Sequence, residues 1–286
     1  MRSFTAPAWA IAALCLLLCA ASPASAETAT QPVEGGTLTY ETCGAGPRTI
    51  VLLHDGILHS AAWDDVWPAL CERYRVIRYD RRGYGASPAA AAPYNPAKDL
   101  ELLLAATGTT SATFVGSSAG GGLAVDFALL HPEAVNGLVL IGPWVAGFKP
   151  SAGFAARGMK LMALLKTGNL EAAARDPYIL TPGADAARKR VVDWLRAYPG
   201  NIGAGRLERF MTDARPRLGE IRAPTLILVG QIDIDDVLDQ STQVAAGIPG
   251  ARREVVPAVG HFMYLETPND FTTRIVAFVE ALRRDE

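Results

Sequence analysis

The chain is 286 residues long, half of them hydrophobic and a fifth charged, with a formal net charge of −2. That composition supplies a sizeable core and argues against intrinsic disorder. The near-neutral balance, with no basic block beyond Arg188-Lys189-Arg190, argues against nucleic-acid binding, and that short run reads as a solvated helix face.

The N-terminus departs from the rest. Arg2 precedes the apolar stretch AWAIAALCLLLCAAS, which gives way to Ala24-Ser25-Ala26 before Glu27. A basic start, an apolar run of about 14 residues and a small-x-small site predict a signal peptide over residues 1–26. Cleavage near Ala26 would deliver a secreted or periplasmic protein. The run is short for a stable membrane span. Lipoprotein processing is disfavoured because Leu14 and Leu18, rather than small residues, precede Cys15 and Cys19. Cys43 and Cys71 lie beyond the cleavage site, and an oxidising compartment lets such a pair bridge, the alternative being two partly buried thiols. Two cysteines alone do not make a zinc site; no metal and no cofactor are expected.

Further along, residues 37–42 (TLTYET) alternate like an antiparallel strand. Residues 49–54 (TIVLLH), 75–80 (RVIRYD), 112–116 (ATFVG), 137–142 (GLVLIG) and 225–230 (TLILVG) are short, apolar runs of the kind buried parallel strands show. Helical patterns fill 61–74, 97–106, 119–131 and 269–284. This alternation predicts an α/β fold, a mostly parallel central sheet with helices on both faces. Residues 145–221 contain no convincing strand, only helical pieces broken at Pro150, Gly168, Pro182-Gly183 and Pro199-Gly200. So long a stretch is no plain connection. It reads as a helical cap over the sheet, dividing the core into residues 27–144 and 222–286.

The stretch VGSSAGGGL, residues 115–123, ends one strand and opens a helix. Each glycine inside a helix costs about 1 kcal/mol relative to alanine, so bare backbone must be needed there. A strained strand-to-helix turn that raises one side chain needs small residues two places before and after it. Around Ser118 those places hold Gly116 and Gly120; around Ser117 they hold Val115 and Ala119. Ser118 is therefore the candidate nucleophile. A phosphate loop is excluded by spacing and by the missing Lys, and the dinucleotide pattern G-x-G-x-x-G fails as well.

A serine nucleophile needs a base, and the chain has four histidines. His131 precedes Pro132 at a helix end and reads as a surface residue. His54 ends a strand and suits a structural role, while His59 lies in the loop after it, within reach of a substrate. His261 falls between the last strand and the final helix, on the rim where parallel sheets bind ligands. The acid comes from GQIDIDDVLDQ, where Asp233 stands just past a strand end. Asp235, Asp236 and Asp239 read as surface charge or helix caps.

Together HDG (54–56), DRRGYGAS (80–87), GSSAGG (116–121), GQID (230–233) and GHF (260–262) resemble the α/β-hydrolase superfamily across nearly all of the mature chain. The chain order Ser…Asp…His is that of this fold. The resemblance implies Ser118 as nucleophile, His261 as general base, Asp233 as its orienting carboxylate, and the amides of Gly56 and Ala119 as the oxyanion hole. Where many members have His-Gly-x this chain has His54-Asp55-Gly56, which brings a negative charge near that hole. The activity implied is hydrolysis of a carboxylic ester, lactone or thioester by an exported serine hydrolase. A C–C hydrolase, a perhydrolase or an acyltransferase would share the triad, and an inactive binding module on the same scaffold is the rival from another class. Relatives with an Asp nucleophile are disfavoured by Ser118. The partner expected is a small molecule, a neutral acyl or alkyl ester. Trp144, Phe148, Phe154, Met159, Met162, Phe210 and Met211 are candidates for its pocket wall.

Overall fold

A computed structural model describes residues 27–176, 178–210 and 213–282; the leader read from residues 1–26, Met211 and the last turn of the final helix predicted to Arg284 lie outside them. Within them the strands are β1 (Glu27–Val33), β2 (Gly36–Cys43), β3 (Thr49–Leu53), β4 (Arg75–Asp80), β5 (Ala112–Ser117), β6 (Val135–Ile141), β7 (Thr225–Gly230) and β8 (Arg252–Val256). The helices are α1 (Trp67–Cys71), α2 (Pro96–Ala106), α3 (Ala119–Leu130), α4 (Ala152–Lys166), α5 (Leu170–Ala174), α6 (Asp185–Ala197), α7 (Asp235–Gly247), α8 (Met263–Glu266) and α9 (Pro268–Ala281).

The strands form one sheet in the order β1-β2-β4-β3-β5-β6-β7-β8. β1, β2 and β4 pair antiparallel, and every pair from β4–β3 to β7–β8 is parallel. The expected α/β architecture is thus present. β5 and β7 are buried along their whole length, because helices cover both faces of the sheet. One apolar layer includes Ile50, Leu52, Val115, Val139 and Leu228 with α1 and α9; the other includes Val51, Phe114, Leu138 and Ile227 with α2 and α3.

Three elements differ from expectation. β1 and β8 were not foreseen: each is an edge strand with mostly polar or charged residues, and half-exposed edges lack the apolar run of a central strand. α7 grows out of a segment read as an acidic loop, with Asp235 and Asp236 in its first turn, where the helix dipole favours negative charge. The single helix expected over 61–74 is split into a 3-10 turn at Ser60–Trp63 and the short α1, which starts with Pro68 in its first turn.

Between β6 and β7 lie α4, α5, α6 and three 3-10 turns, with no strand among the described residues. Leu161, Leu165, Ile179, Leu180, Val191 and Leu195 from this segment join the same apolar layer as Ile50 and Leu52 of the sheet. Two polar ties reinforce that seating. Asp236 at the start of α7 accepts from the Ser151 amide and hydroxyl at 2.7 Å each, and Ser151 caps α4. Arg190 of α6 forms an ion pair with Asp65 of the core.

Cys43 and Cys71 are joined as a disulfide, Cα–Cα 5.5 Å, at the edge of the sheet where the parallel strands begin. No helix among the described residues is long and apolar enough to cross a membrane.

Candidate active site

The loops that leave the carboxyl ends of β3, β5, β7 and β8 converge, and each brings a residue singled out from the sequence. Ser118 follows β5 directly and caps α3 with φ +51° and ψ −113°. A non-glycine residue in that region is strained by about 1–3 kcal/mol and persists only where its surroundings dictate it. Here the Ser118 amide donates to Ile141 O at 2.8 Å, and its carbonyl accepts from Gly122 and Trp144 amides at 3.0 Å each. The glycines answer to crowding. A Cβ on Gly116 would stand 2.4 Å from Gly120 O, and one on Gly120 would stand 2.2 Å from Leu53 O. Ser117, by contrast, is fully buried at the end of β5, beside Tyr264.

His261 follows β8, and its Nδ1 lies 2.7 Å from Oδ2 of Asp233, which follows β7. Both side chains are 1% exposed, so the pair is shielded from water. The other Asp233 oxygen accepts from the Ile234 amide at 2.8 Å, which fixes the carboxylate's angle. A proton held on Nδ1 by Asp233 leaves Nε2 as the basic atom. That Nε2 is buried and has no hydrogen-bond partner among the described residues. Serine–histidine hydrogen bonds of this kind commonly tighten only when substrate is bound. The imidazole lies against bare backbone: a Cβ on Gly142 would fall 2.8 Å from its Cε1.

The Ala119 amide opens α3 and so has no acceptor within the helix. Gly56 comes up beside it, since a Cβ there would sit 3.6 Å from that of Ala119. Asp55, the departure from the family pattern, turns its carboxylate inward. Oδ1 accepts from the amides of Ile57 at 2.7 Å and Leu58 at 3.0 Å, and Oδ2 accepts from the Tyr264 hydroxyl at 3.0 Å. That charge braces the loop that carries Gly56. His54 supports the same loop: its Nε2 accepts from the Arg81 amide at 3.1 Å, which leaves Nδ1 to donate to Asp55 O at 2.8 Å. Burial, with Arg81 nearby, holds its pKa well below 6.5, so it stays neutral.

Gly56 and Ala119 also line a cavity of about 890 Å³ beneath the helical segment, with Tyr84, Met162 and Ile202 among its walls. That volume is within the range of small-molecule sites. Lys166 and Arg206 stand at its edge, exposed and in no ion pair among the described residues. Behind it, buried Arg81 meets Glu208 at 3.3 Å.

Several expectations resolve differently. His59 does not reach the site; it is buried between Trp194 and Tyr198 and 3.4 Å from Asn201, at the seam with the helical segment. Of the proposed wall residues that the structure describes, only Met162 lines this cavity. Phe148 lies under Arg215 and Met159 is 70% exposed, so these follow local packing. Tyr178 was not foreseen at all. Its ring lies 4.4 Å from that of His261, and its phenol is near enough to the Ser118 side chain to interact with it. It comes from DPYILTPG, a segment with no motif, so only packing discloses it.

Compared with known proteins, residues 49–268 match the family described as alpha/beta hydrolase fold. A putative carbamate hydrolase RutD of Variovorax paradoxus is 36% identical over 78% of this chain and 89% of its own. A 2-hydroxy-6-oxononadienedioate/2-hydroxy-6-oxononatrienedioate hydrolase of Paraburkholderia xenovorans is 29% identical over 85% and 90%. Among solved structures, Est816, an N-acyl homoserine lactone degrading enzyme, superposes with a TM-score of 0.72 at 28% identity, covering 87% of this chain and all of Est816.

Proposed function

The chain belongs to the α/β-hydrolase fold family and is a hydrolase, and on that premise we propose that it cleaves a carboxylic ester, lactone or thioester through an acyl-enzyme. One observation carries the reading: Asp233 and His261 are held at 2.7 Å in a dry site, together with a serine forced to φ +51°. His261 Nε2 takes the Ser118 proton as Oγ attacks the acyl carbon. The amides of Gly56 and Ala119 receive the developing oxyanion, aided by the positive end of α3. Nε2 then returns the proton to the leaving group, and a water repeats the sequence on the acyl-enzyme. Asp233 holds the tautomer and balances the imidazolium.

The apolar side of the cavity beside Gly56 and Ala119 suits a neutral acyl or alkyl group, with residues 145–221 acting as the cap. Export fits as well, since the Cys43–Cys71 bridge belongs to an oxidising compartment; a mature N-terminus at Glu27 in periplasmic or secreted material tests it. A fluorophosphonate probe tests the chemistry: it should label Ser118, Ser118→Ala should abolish labelling and turnover, and Ser117→Ala should fold and keep much of both. Equal loss in both variants places the nucleophile wrongly.

A second reading, C–C bond hydrolysis, is favoured by Lys166 and Arg206 at the cavity edge, which suit a substrate carrying carboxylates like the one named for the Paraburkholderia relative. Turnover of such a dioate in preference to p-nitrophenyl esters would select it.

A further inference from the structure

Tyr178, from the segment between β6 and β7, lies against His261 and beside Ser118. Its ring is tilted 32° against the imidazole, centroids 4.4 Å apart, and its phenol is near enough to the Ser118 side chain to interact with it. Its placement is built rather than incidental. Asp176 Oδ1 accepts from the Tyr178 amide at 2.9 Å and from Arg157 of α4 at 2.6 Å, so the turn is tied to a helix. On the other side, Phe154 meets the Tyr178 ring edge-on at 6.2 Å and stacks on Trp144 at 5.0 Å. Burial and then the Asp233 charge raise the phenol's pKa, so it keeps its proton and acts as a donor.

The leaving-group oxygen must approach His261 Nε2, because that atom supplies its proton, while the oxyanion turns toward Gly56 and Ala119. A phenol whose ring packs against the imidazole and which neighbours the Ser118 side chain overlooks the gap between them. We propose that Tyr178 is a catalytic residue, donating a hydrogen bond to the leaving-group oxygen as the tetrahedral intermediate collapses. The acyl–oxygen bond breaks, its electron pair stays on the leaving oxygen, and that oxygen receives the proton of His261 Nε2. Tyr178 retains its own proton and only spreads the developing charge. The role rests on the Ser118–His261–Asp233 reading.

Tyr178→Phe keeps the ring against His261 and removes only the hydroxyl. The test measures kcat/KM for a series of esters of one acid with alcohols of graded acidity, in parent and variant. p-Nitrophenolate leaves without help, so its ester should react at close to the parent rate. An alkoxide needs help, so the ethyl ester should lose about tenfold or more, about 1.4 kcal/mol of barrier. The dependence of rate on leaving-group pKa should therefore steepen in the variant. A merely structural tyrosine would lower every ester by one factor, and that result, or no change at all, overturns the proposal. Fluorophosphonate labelling separates the two readings. Labelling of Ser118 with a uniform effect removes Tyr178 alone, whereas a parent protein not labelled at Ser118 removes the serine mechanism and this role with it.

Discussion

Replacing Asp55 tests whether the proposed oxyanion loop is held as described. Asp55 is 1% exposed, and its carboxylate takes the Ile57 amide at 2.7 Å, the Leu58 amide at 3.0 Å and the Tyr264 hydroxyl at 3.0 Å. Hydrogen bonds to a charged acceptor are worth about 1.5–3 kcal/mol each, and they are not fully additive. Asp55→Ala orphans all three donors in a dry place and should destabilise the fold by about 3–5 kcal/mol. It also frees the loop bearing Gly56. Loss of one oxyanion donor lowers kcat by about 10²–10³, so a fall of at least about 10² is expected. Asp55→Asn keeps one oxygen for both amides and can still engage Tyr264, so about 1–2 kcal/mol and less than about tenfold in kcat should be lost. Urea unfolding followed by tryptophan fluorescence gives the stability, and a p-nitrophenyl ester gives kcat. Tyr264→Phe completes a double-mutant cycle, with a coupling of about 1 kcal/mol expected between the two residues. If Asp55→Ala keeps kcat within about threefold and stability within about 1 kcal/mol, the brace has been misread.

Asp233→Asn should lower kcat by up to about 10⁴ by losing the tautomer and the counter-charge, while Asp235→Asn, in the first turn of α7, should cost little; the reverse ranking in steady-state kinetics rejects the relay. Joint replacement of Cys43 and Cys71 by Ala, which opens a loop with a sequence separation of 28, should cost about 3.5 kcal/mol on the chain-entropy estimate, read by guanidinium unfolding; a cost under about 1 kcal/mol contradicts it. Burial lowers the pKa of His54 and of His59 from 6.5, so the folded protein resists protons that the unfolded chain accepts. Stability should be full above pH 6.5 and fall as pH drops from there toward the folded values, by at most about 1.4 kcal/mol per pH unit per histidine; urea midpoints between pH 5 and 8 that do not fall would refute it.

The central strands were legible because burial on both faces turns them into unbroken apolar runs such as TIVLL and TLILVG. Edges escape that rule. RREVV is only partly buried and carries charges, and ETATQPV is exposed for much of its length, so neither stands out from a loop. Ser118 was legible because an elbow constrains its neighbours two residues away, and Gly116 and Gly120 meet that constraint through backbone contacts. Asp233 was legible from its place just after β7, and His261 from lying between the last predicted strand and the final helix. Tyr178 was not, since what recruits it is the packing of Phe154 and Asp176, contacts between segments that no local spacing encodes. Asp55 was visible as a departure, but its contacts were not: its carboxylate faces two amides and a phenol.

If Ser118, Asp233 and His261 act as proposed, the strand order sets when the enzyme becomes one. The loop bearing Gly56 and the last residue of the proposed triad, His261, are separated by roughly 200 residues, about 10–40 s of synthesis at ordinary elongation rates. The elbow belongs to β5, which is paired on both sides in the middle of the sheet, whereas His261 follows the edge strand β8, held by β7 alone. A nascent chain can therefore assemble the nucleophile early and remain inert until its final fifth docks. The same asymmetry acts in the finished protein. Edge elements open more cheaply than central ones, so fraying of β8 would withdraw the base from a serine still held in place, and activity would lapse while most of the sheet stayed intact.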